Sequence, residues 1–195
     1  MEIYSPQLHK NHHQQDIHKN DLTHLIDRSV YPKKQFPVGQ WDYMLFYMEN
    51  FQLATEQMES NPGGLLKMMF RKGDPSSKGA RSITASTRAN GGWFIEGGFP
   101  DSPLDEDILS FQELLVYEES LKRNGFFGPN SWYMNHELNR EFSRTGDDQV
   151  FLDLPVLFIH AEYDLVCETV DSELANPMRE RCKNLTEEII HAGHW

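Results

Sequence analysis

Two residues with the chemistry of an acid–base pair lie near the end of the chain. Asp164 follows the apolar run of residues 155–160, and His194 follows a second short run, residues 188–191. Each run has the character of a buried strand, and parallel strands place the residues after their carboxyl ends at one edge of a sheet. A carboxylate there orients a neighbouring histidine and stabilises its charged form. Spacing alone gives about even weight to this pair and to an unrelated surface aspartate and terminal histidine.

The elements that would position this pair are a strand, a helix and a second strand. Residues 170–182 between the two runs predict a helix that Pro177 interrupts. Together the three elements form one right-handed crossover of a parallel sheet. Two strands alone do not make a stable doubly wound sheet, so this pattern predicts part of a larger one.

The residues before the first strand have a helical pattern instead. In residues 42–60 apolar side chains recur at spacings of three and four, which predicts an amphipathic helix that ends at residues 61–64. Further helices are predicted over residues 65–71, from a capping box at Ser110 to a stop at Gly125, and over residues 132–143. The fold class is therefore α/β, with a mostly helical first part and an incomplete parallel sheet.

Composition excludes several classes of function. The 195 residues include 18 Lys and Arg against 30 Asp and Glu, a net charge of −12, which argues against broad binding of nucleic acid. We find no apolar run long enough to cross a membrane. The two cysteines, Cys167 and Cys182, are too few for a disulfide framework, and the first fifteen residues do not resemble a signal peptide. These features predict a soluble cytoplasmic protein.

Residues 1–21 differ from the rest of the chain. They are polar, contain no apolar periodicity, and predict a disordered tail. The histidines of this tail are His9, His12, His13 and His18. They could bind a metal ion loosely, but no spacing among them defines a tetrahedral site, so we expect a solvated tail.

Four segments together resemble one enzyme family. Residues 156–164 and 193–195 are similar to the acid and base segments of the soluble epoxide hydrolases, which have the α/β-hydrolase fold. Residues 39–47 resemble the first helix of that family's cap domain, and residues 125–135 resemble the segment with its second cap tyrosine. The resemblance runs from residue 22 to residue 195 and is strongest to the fungal-type members.

The resemblance implies a substrate, a reaction and four site residues. In such enzymes an aspartate attacks a small-molecule epoxide and forms an ester, while two cap tyrosines donate hydrogen bonds to the epoxide oxygen. By resemblance these tyrosines are Tyr43 and Tyr133. A histidine oriented by a second carboxylate then activates water, and these residues are His194 and Asp164. No cofactor or metal is implied. Tyr43 as a core aromatic and Tyr133 as a packing residue remain open alternatives.

The sequence also departs from the family pattern. It contains neither a His-Gly-x-Pro segment for the oxyanion hole nor a Gly-x-Asp-x-Gly elbow for the nucleophile, and residues 146–150 match the elbow only in part. We therefore expect a disordered tail over residues 1–21, a helical cap over residues 22–149 and a C-terminal fragment of the hydrolase core over residues 150–195. Cys167 is expected to be structural, because no general base is evident beside it.

These departures leave it uncertain whether the chain is itself an enzyme. One hypothesis is an epoxide hydrolase fragment that becomes active when the rest of the core completes it. The alternative is an inactive binding or regulatory module that associates with a full-length relative, and a third is a helical interaction protein. The incomplete sheet also predicts a homo-oligomer or an aggregation-prone chain.

Overall fold

The computed structural model describes residues 22–94, 101–144 and 151–195. The predicted tail of residues 1–21 and the elbow-like residues 146–150 lie outside this set. In the described part of the chain the α-helices are α1 Asp42–Glu49, α2 Phe51–Ser60, α3 Pro62–Met69, α4 Phe111–Asn124, α5 Phe127–Ser131, α6 His136–Arg144 and α7 Asn176–Arg181. The strands are β1 Leu152–Ala161 and β2 Cys182–Ile190. Short 3-10 helices occur at Leu22–Leu25, Gly39–Trp41, Pro75–Ser77, Ile83–Ser86, Trp132–Asn135 and Glu173–Ala175.

The helix predicted over residues 42–60 is two helices. Asn50 has φ −136° and ψ 43°, so the chain leaves the helical conformation between α1 and α2. The predicted apolar stripe continues across this break, because Tyr47, Ala54 and Met58 are all buried. The prediction of one continuous helix was wrong because both helices pack against one core. The spacing of their apolar residues therefore stays in phase across the break.

The turn predicted at residues 61–64 belongs to a helix. The side chain of Asn61 accepts a hydrogen bond from the backbone N–H of Gly64 at 2.9 Å, and Pro62 occupies the first turn. Both are features of a helix start. α3 thus begins at Pro62, three residues before the predicted start.

The capping box of α4 is confirmed. The Ser110 hydroxyl accepts a hydrogen bond from the backbone N–H of Glu113 at 3.3 Å, and the Glu113 carboxylate accepts one from the backbone N–H of Ser110 at 2.9 Å. Gly125 ends the helix with a φ of +70°, a region that favours glycine, and Phe126 is buried. The next predicted helix, residues 132–143, is divided between the 3-10 turn Trp132–Asn135 and α6, and the short helix α5 precedes it.

The parallel strand–helix–strand unit is confirmed. β1 and β2 pair in parallel, with Phe158 opposite Glu187 and Ala161 opposite Ile190. The helix between them is shorter than predicted, and Pro177 lies in its first turn, so this proline begins α7 and does not interrupt it.

One face of this small sheet is bare in the described part of the chain. Leu157 and Ile159 lie two residues apart on one face of β1 and are 61% and 52% exposed. Ile190, opposite Ala161 on the same face, is 48% exposed. The expected burial of β1 on both faces is therefore not met by the described residues.

The helices pack around an aromatic core. Its buried members are Phe46, Tyr47, Ala54, Met58, Leu65 and Phe126. Partly buried side chains that pack against them include Tyr43, Trp93 and Tyr133. No helix in the described residues is long and apolar enough to cross a membrane.

The sheet docks onto the helical layer through the loop that carries His194. The backbones of Gly73 and Gly193 meet so closely that a Cβ built on Gly73 would lie 2.5 Å from the Gly193 nitrogen. Beside them the rings of Phe70 and Trp195 stack, with centroids 4.4 Å apart. A glycine at position 73 therefore lets the loop before His194 lie against the helices.

Gly73→Ala should lower the free energy of unfolding by about 1–3 kcal/mol, because the new methyl group overlaps backbone atoms that have no rotamer to escape into. Gly128→Ala is the matched control, since a Cβ there meets nothing within 4 Å. Urea unfolding of both variants measures the difference. Equal stability of the two would contradict the close backbone contact.

Candidate active site

Asp164 lies in the turn that follows β1, and its two carboxylate oxygens have separate partners. Oδ1 accepts hydrogen bonds from the backbone N–H groups of Val166 and Cys167 at 2.8 and 2.9 Å. Oδ2 lies 2.8 Å from Nδ1 of His194. The turn thus fixes the buried carboxylate while one oxygen orients the histidine, as the adjacency of parallel strand ends predicted.

The two groups shift each other's pKa in opposite directions. Burial of Asp164 raises its pKa, but the hydrogen bonds from His194 and from the backbone of Cys167 and Val166 outweigh burial and leave the pKa below its ordinary value. The hydrogen bond to Asp164 raises the pKa of His194, against an opposing effect of burial. With Nδ1 held by the carboxylate, Nε2 on the other side of the ring is the nitrogen available for proton transfer.

Asp164→Asn should lower the pKa of His194, because it removes the negative charge that stabilises the imidazolium. In the unmodified chain the stabilisation from the raised histidine pKa is present below the unfolded value of about 6.5 and is lost as pH rises through the folded pKa. The stabilisation from the lowered aspartate pKa is lost as pH falls from about 3.9 through its folded pKa. The pair therefore stabilises the fold most between these values, and the variant should lose that maximum.

NMR titration of the His194 ring and urea unfolding at several pH values measure both effects. Asp153→Asn makes the same chemical change at an exposed carboxylate that pairs with Lys183 on the sheet. This control should leave the pKa of His194 unchanged. An unchanged pKa in Asp164→Asn would contradict the observed pairing.

Tyr43 and Tyr133 come together from distant parts of the chain. Tyr43 is the second residue of α1, and Asp42 before it accepts a hydrogen bond from the backbone N–H of Arg88 at 2.8 Å, which fixes this end of the helix. Tyr133 follows α5, in which the buried Asn130 donates to the Thr55 hydroxyl at 3.1 Å. The two tyrosine rings meet edge to face with centroids 5.7 Å apart.

The hydroxyls of Tyr43 and Tyr133 lie beside each other. The side chains of Tyr43 and Tyr133 hydrogen-bond to each other, and burial raises the pKa of both phenols. The negative charge of Asp164 raises the pKa of Tyr43 further, which puts this hydroxyl within electrostatic range of the Asp164–His194 pair. The structure thus pairs Tyr43 with Tyr133 and Asp164 with His194, and the charge of Asp164 acts on Tyr43. Both tyrosines remain protonated at neutral pH and can donate hydrogen bonds.

A third tyrosine, Tyr47, supports this pair from the core side. Its ring stacks on Tyr133 with centroids 4.4 Å apart, and its hydroxyl accepts a hydrogen bond from Nε1 of Trp93 at 2.9 Å. These contacts give Tyr47 a structural role in the aromatic core. Trp93 was missed, because its position after two glycines has no spacing signal that connects it to the tyrosines.

Cys167 has a closer relation to the site than its sequence suggested. Its thiol, a carboxylate oxygen of Asp164 and a ring nitrogen of His194 all lie within 4.8 Å of one another. The expectation that no general base lies beside Cys167 was therefore wrong, since His194 at the end of the other strand lies close to the thiol. The three-residue spacing from Asp164 to Cys167 was the available signal.

Comparisons with known proteins agree with the resemblance seen in the sequence. No family model matches the chain. It is 29% identical over 156 residues to bifunctional epoxide hydrolase 2 of Sus scrofa, covering 80% of this chain and 26% of that protein. It is 30% identical over 171 residues to bifunctional epoxide hydrolase 2 of Mus musculus, covering 87% and 29%. The chain thus spans less than a third of the length of these curated relatives.

Solved structures show the same relation in the fold. Epoxide hydrolase A of Mycobacterium thermoresistibile matches with a TM-score of 0.56 at 23% identity, over 78% of this chain and 46% of that one. Potato epoxide hydrolase I matches with a TM-score of 0.56 at 20% identity, over 86% and 49%. The predicted partial α/β-hydrolase fold is confirmed.

Proposed function

We propose, on the premise that this chain is similar to part of the epoxide hydrolases of the α/β-hydrolase fold, that it forms the cap and the acid–base pair of a site that hydrolyses epoxides to vicinal diols. The chain is divided in this proposal as in the sequence analysis, into a tail, a cap over residues 22–149 and a part of the core over residues 150–195. The nucleophile is not assigned to this chain, because the sequence contains no Gly-x-Asp-x-Gly elbow.

The first half of the proposed reaction uses the tyrosine pair. The epoxide oxygen accepts hydrogen bonds from the hydroxyls of Tyr43 and Tyr133 while an aspartate of the completed core attacks an epoxide carbon. The carbon–oxygen bond breaks, an ester forms, and a tyrosine proton moves to the new alkoxide. Because burial holds both phenols protonated, the donors are in place before the negative charge develops.

The second half uses the acid–base pair. Nε2 of His194 accepts a proton from a water molecule, and the resulting hydroxide attacks the ester carbonyl. The ester C–O bond then breaks, which releases the diol and regenerates the core carboxylate, and the proton on His194 returns through solvent to the deprotonated tyrosine. Asp164 stays ionised, holds Nδ1 and stabilises the imidazolium that forms. The observation that supports this proposal most is the 2.8 Å hydrogen bond between Asp164 and His194 beside the tyrosine pair.

A chimaera tests this proposal. The core segment of a plant epoxide hydrolase that precedes the matched region would be fused ahead of Leu22, and diol formation from an aromatic epoxide would be measured. We expect turnover, and Tyr43→Phe should lower the rate of ester formation by about 10²–10³-fold through loss of one oxyanion donor.

Tyr47→Phe is the matched control, because it removes one hydroxyl from the neighbouring ring whose partner is Trp93. It should change the rate by less than about tenfold. Equal effects of the two changes would assign Tyr43 to the aromatic core. A folded chimaera that binds the epoxide without turning it over would contradict the proposed function.

A second candidate function is supported by the bare face of the sheet. A module that associates with a full-length relative would cover Leu157 and Ile159, which are more than half exposed. In that case the chain should co-purify with such a relative and alter its activity, and the chimaera should form no diol. The same chimaera therefore separates the two functions.

A further inference from the structure

We propose that Asp164, Cys167 and His194 form a binding site for one divalent cation of borderline softness, with Zn²⁺ as the representative ion. The family resemblance implies no metal ion, and Cys167 was expected to be structural. This proposal concerns binding only, and its test does not depend on whether the chain takes part in epoxide hydrolysis.

The geometry of the three side chains supports the site. Their candidate ligand atoms, one sulfur, one oxygen and one nitrogen, all lie within 4.8 Å of one another. Zinc bonds of about 2.0–2.3 Å in a tetrahedral arrangement place ligand atoms roughly 3.5 Å apart. Side-chain movements of about an ångström would therefore bring all three ligands to bonding distance.

The backbone restricts two of the ligands before any ion arrives. Asp164 Oδ1 is held by the N–H groups of Val166 and Cys167, so the aspartate and the cysteine belong to one tight turn. The same bond to the Cys167 nitrogen fixes the base of its side chain relative to the carboxylate. His194 then approaches this turn from the end of β2, already 2.8 Å from Oδ2.

The ligand set determines the class of ion. A thiolate with an imidazole and a carboxylate suits Zn²⁺ and its close analogues, whereas Mg²⁺ and Ca²⁺ prefer oxygen ligands alone. Three protein ligands leave a fourth tetrahedral position, and Cys167 and His194 are exposed, so water can fill it. An ion that takes Asp164 and the histidine would break their hydrogen bond, so bound Zn²⁺ and the proposed base role of His194 exclude each other.

Cobalt spectroscopy on the full chain tests the site directly. The four tail histidines, His9, His12, His13 and His18, would first be replaced by alanine so that they cannot bind the ion. Co²⁺ is then titrated into this background protein, and Zn²⁺ displaces it in competition with a chromophoric chelator. We expect one ion per chain and a thiolate-to-cobalt charge-transfer band, which reports sulfur ligation independently of any enzymatic activity.

Variants of the two cysteines identify the ligand. Cys167→Ser should abolish the charge-transfer band and weaken Zn²⁺ binding by more than about tenfold, since even changes outside the ligand shell cost that much. Cys182→Ser, at the buried start of β2, is the matched control and should change neither. Asp164→Asn should weaken binding while keeping the band, because the sulfur ligand remains.

The proposal is overturned if the band is absent, if it survives in Cys167→Ser, or if both cysteine variants bind alike. Circular dichroism of each variant confirms that loss of binding is not loss of folding, and unchanged binding in Asp164→Asn would remove the aspartate from the site. None of these results depends on diol formation, so failure of the metal site and failure of the proposed function are separate outcomes.

Discussion

His194→Gln in the chimaera should lower diol formation by about 10²–10⁴-fold, the usual contribution of a positioned general base. Glutamine keeps a polar group of similar length opposite Asp164 but cannot accept the proton of water at neutral pH. Ester formation requires no base from this residue, so the first half of the reaction should continue. The covalent ester should therefore accumulate, and intact-protein mass spectrometry after mixing with epoxide should detect it as one added substrate mass.

The matched control for this change is His191→Gln, three residues away. His191 is exposed and lies against Glu162 and Tyr163, away from the Asp164 carboxylate. Its replacement should leave both the rate and the ester population close to those of the unmodified chimaera. A His194→Gln variant that releases diol at the original rate, or that accumulates no ester, would contradict the proposed base.

The pairing of Asp164 with His194 was predictable from sequence because it depends on topology. Two apolar runs separated by a helix favour a right-handed parallel crossover, and such a crossover places both strand ends at one edge. The two side chains must then also point toward each other. Backbone hydrogen bonds in the turn at residues 164–167 hold the Asp164 carboxylate in that orientation.

The helix boundaries were less predictable, since local signals and tertiary packing compete there. The apolar spacing of α1 and α2 continues through Asn50, so periodicity cannot show that the chain breaks. Asn61 was interpreted as a stop, although its side chain caps the next helix. A residue such as Asn61, which favours both turns and helix starts, can end one helix or begin the next. Only the burial of Leu65 and Leu66 in the core shows that a helix begins here.

Two contacts that support the site could not be predicted from the sequence. Trp93 donates a hydrogen bond to Tyr47, and the backbones of Gly73 and Gly193 meet. Each pair joins segments that are distant along the chain or that belong to different layers. No periodicity or capping signal connects such residues, because their proximity results from the way the helical layer lies on the sheet.

The 195-residue chain by itself should self-associate through its sheet. Among the residues that the structure describes, Leu157, Ile159 and Ile190 lie largely exposed on one face of the sheet, and each of its two strands has an outer edge without a neighbouring strand. Fully burying one such side chain contributes about 1.5–3 kcal/mol, and each of the three is about half exposed, so a second copy that covers this face gains roughly 2–5 kcal/mol before the cost of association. Sedimentation velocity should therefore show a mass above that of the monomer that rises with concentration.

Leu157→Lys combined with Ile159→Lys should shift this equilibrium toward the monomer, because both side chains point to solvent and the new charges would have to be buried on association. The control Gln52→Lys with Gln112→Lys adds the same two charges at exposed helical positions. Both pairs change the net charge from −12 to −10, which weakens general repulsion between copies and by itself favours association. Dissociation to the monomer in the Leu157→Lys, Ile159→Lys variant but not in the control would thus identify the sheet face as the interface. A monodisperse, cooperatively melting monomer of the unmodified chain would contradict the prediction that its sheet is incomplete.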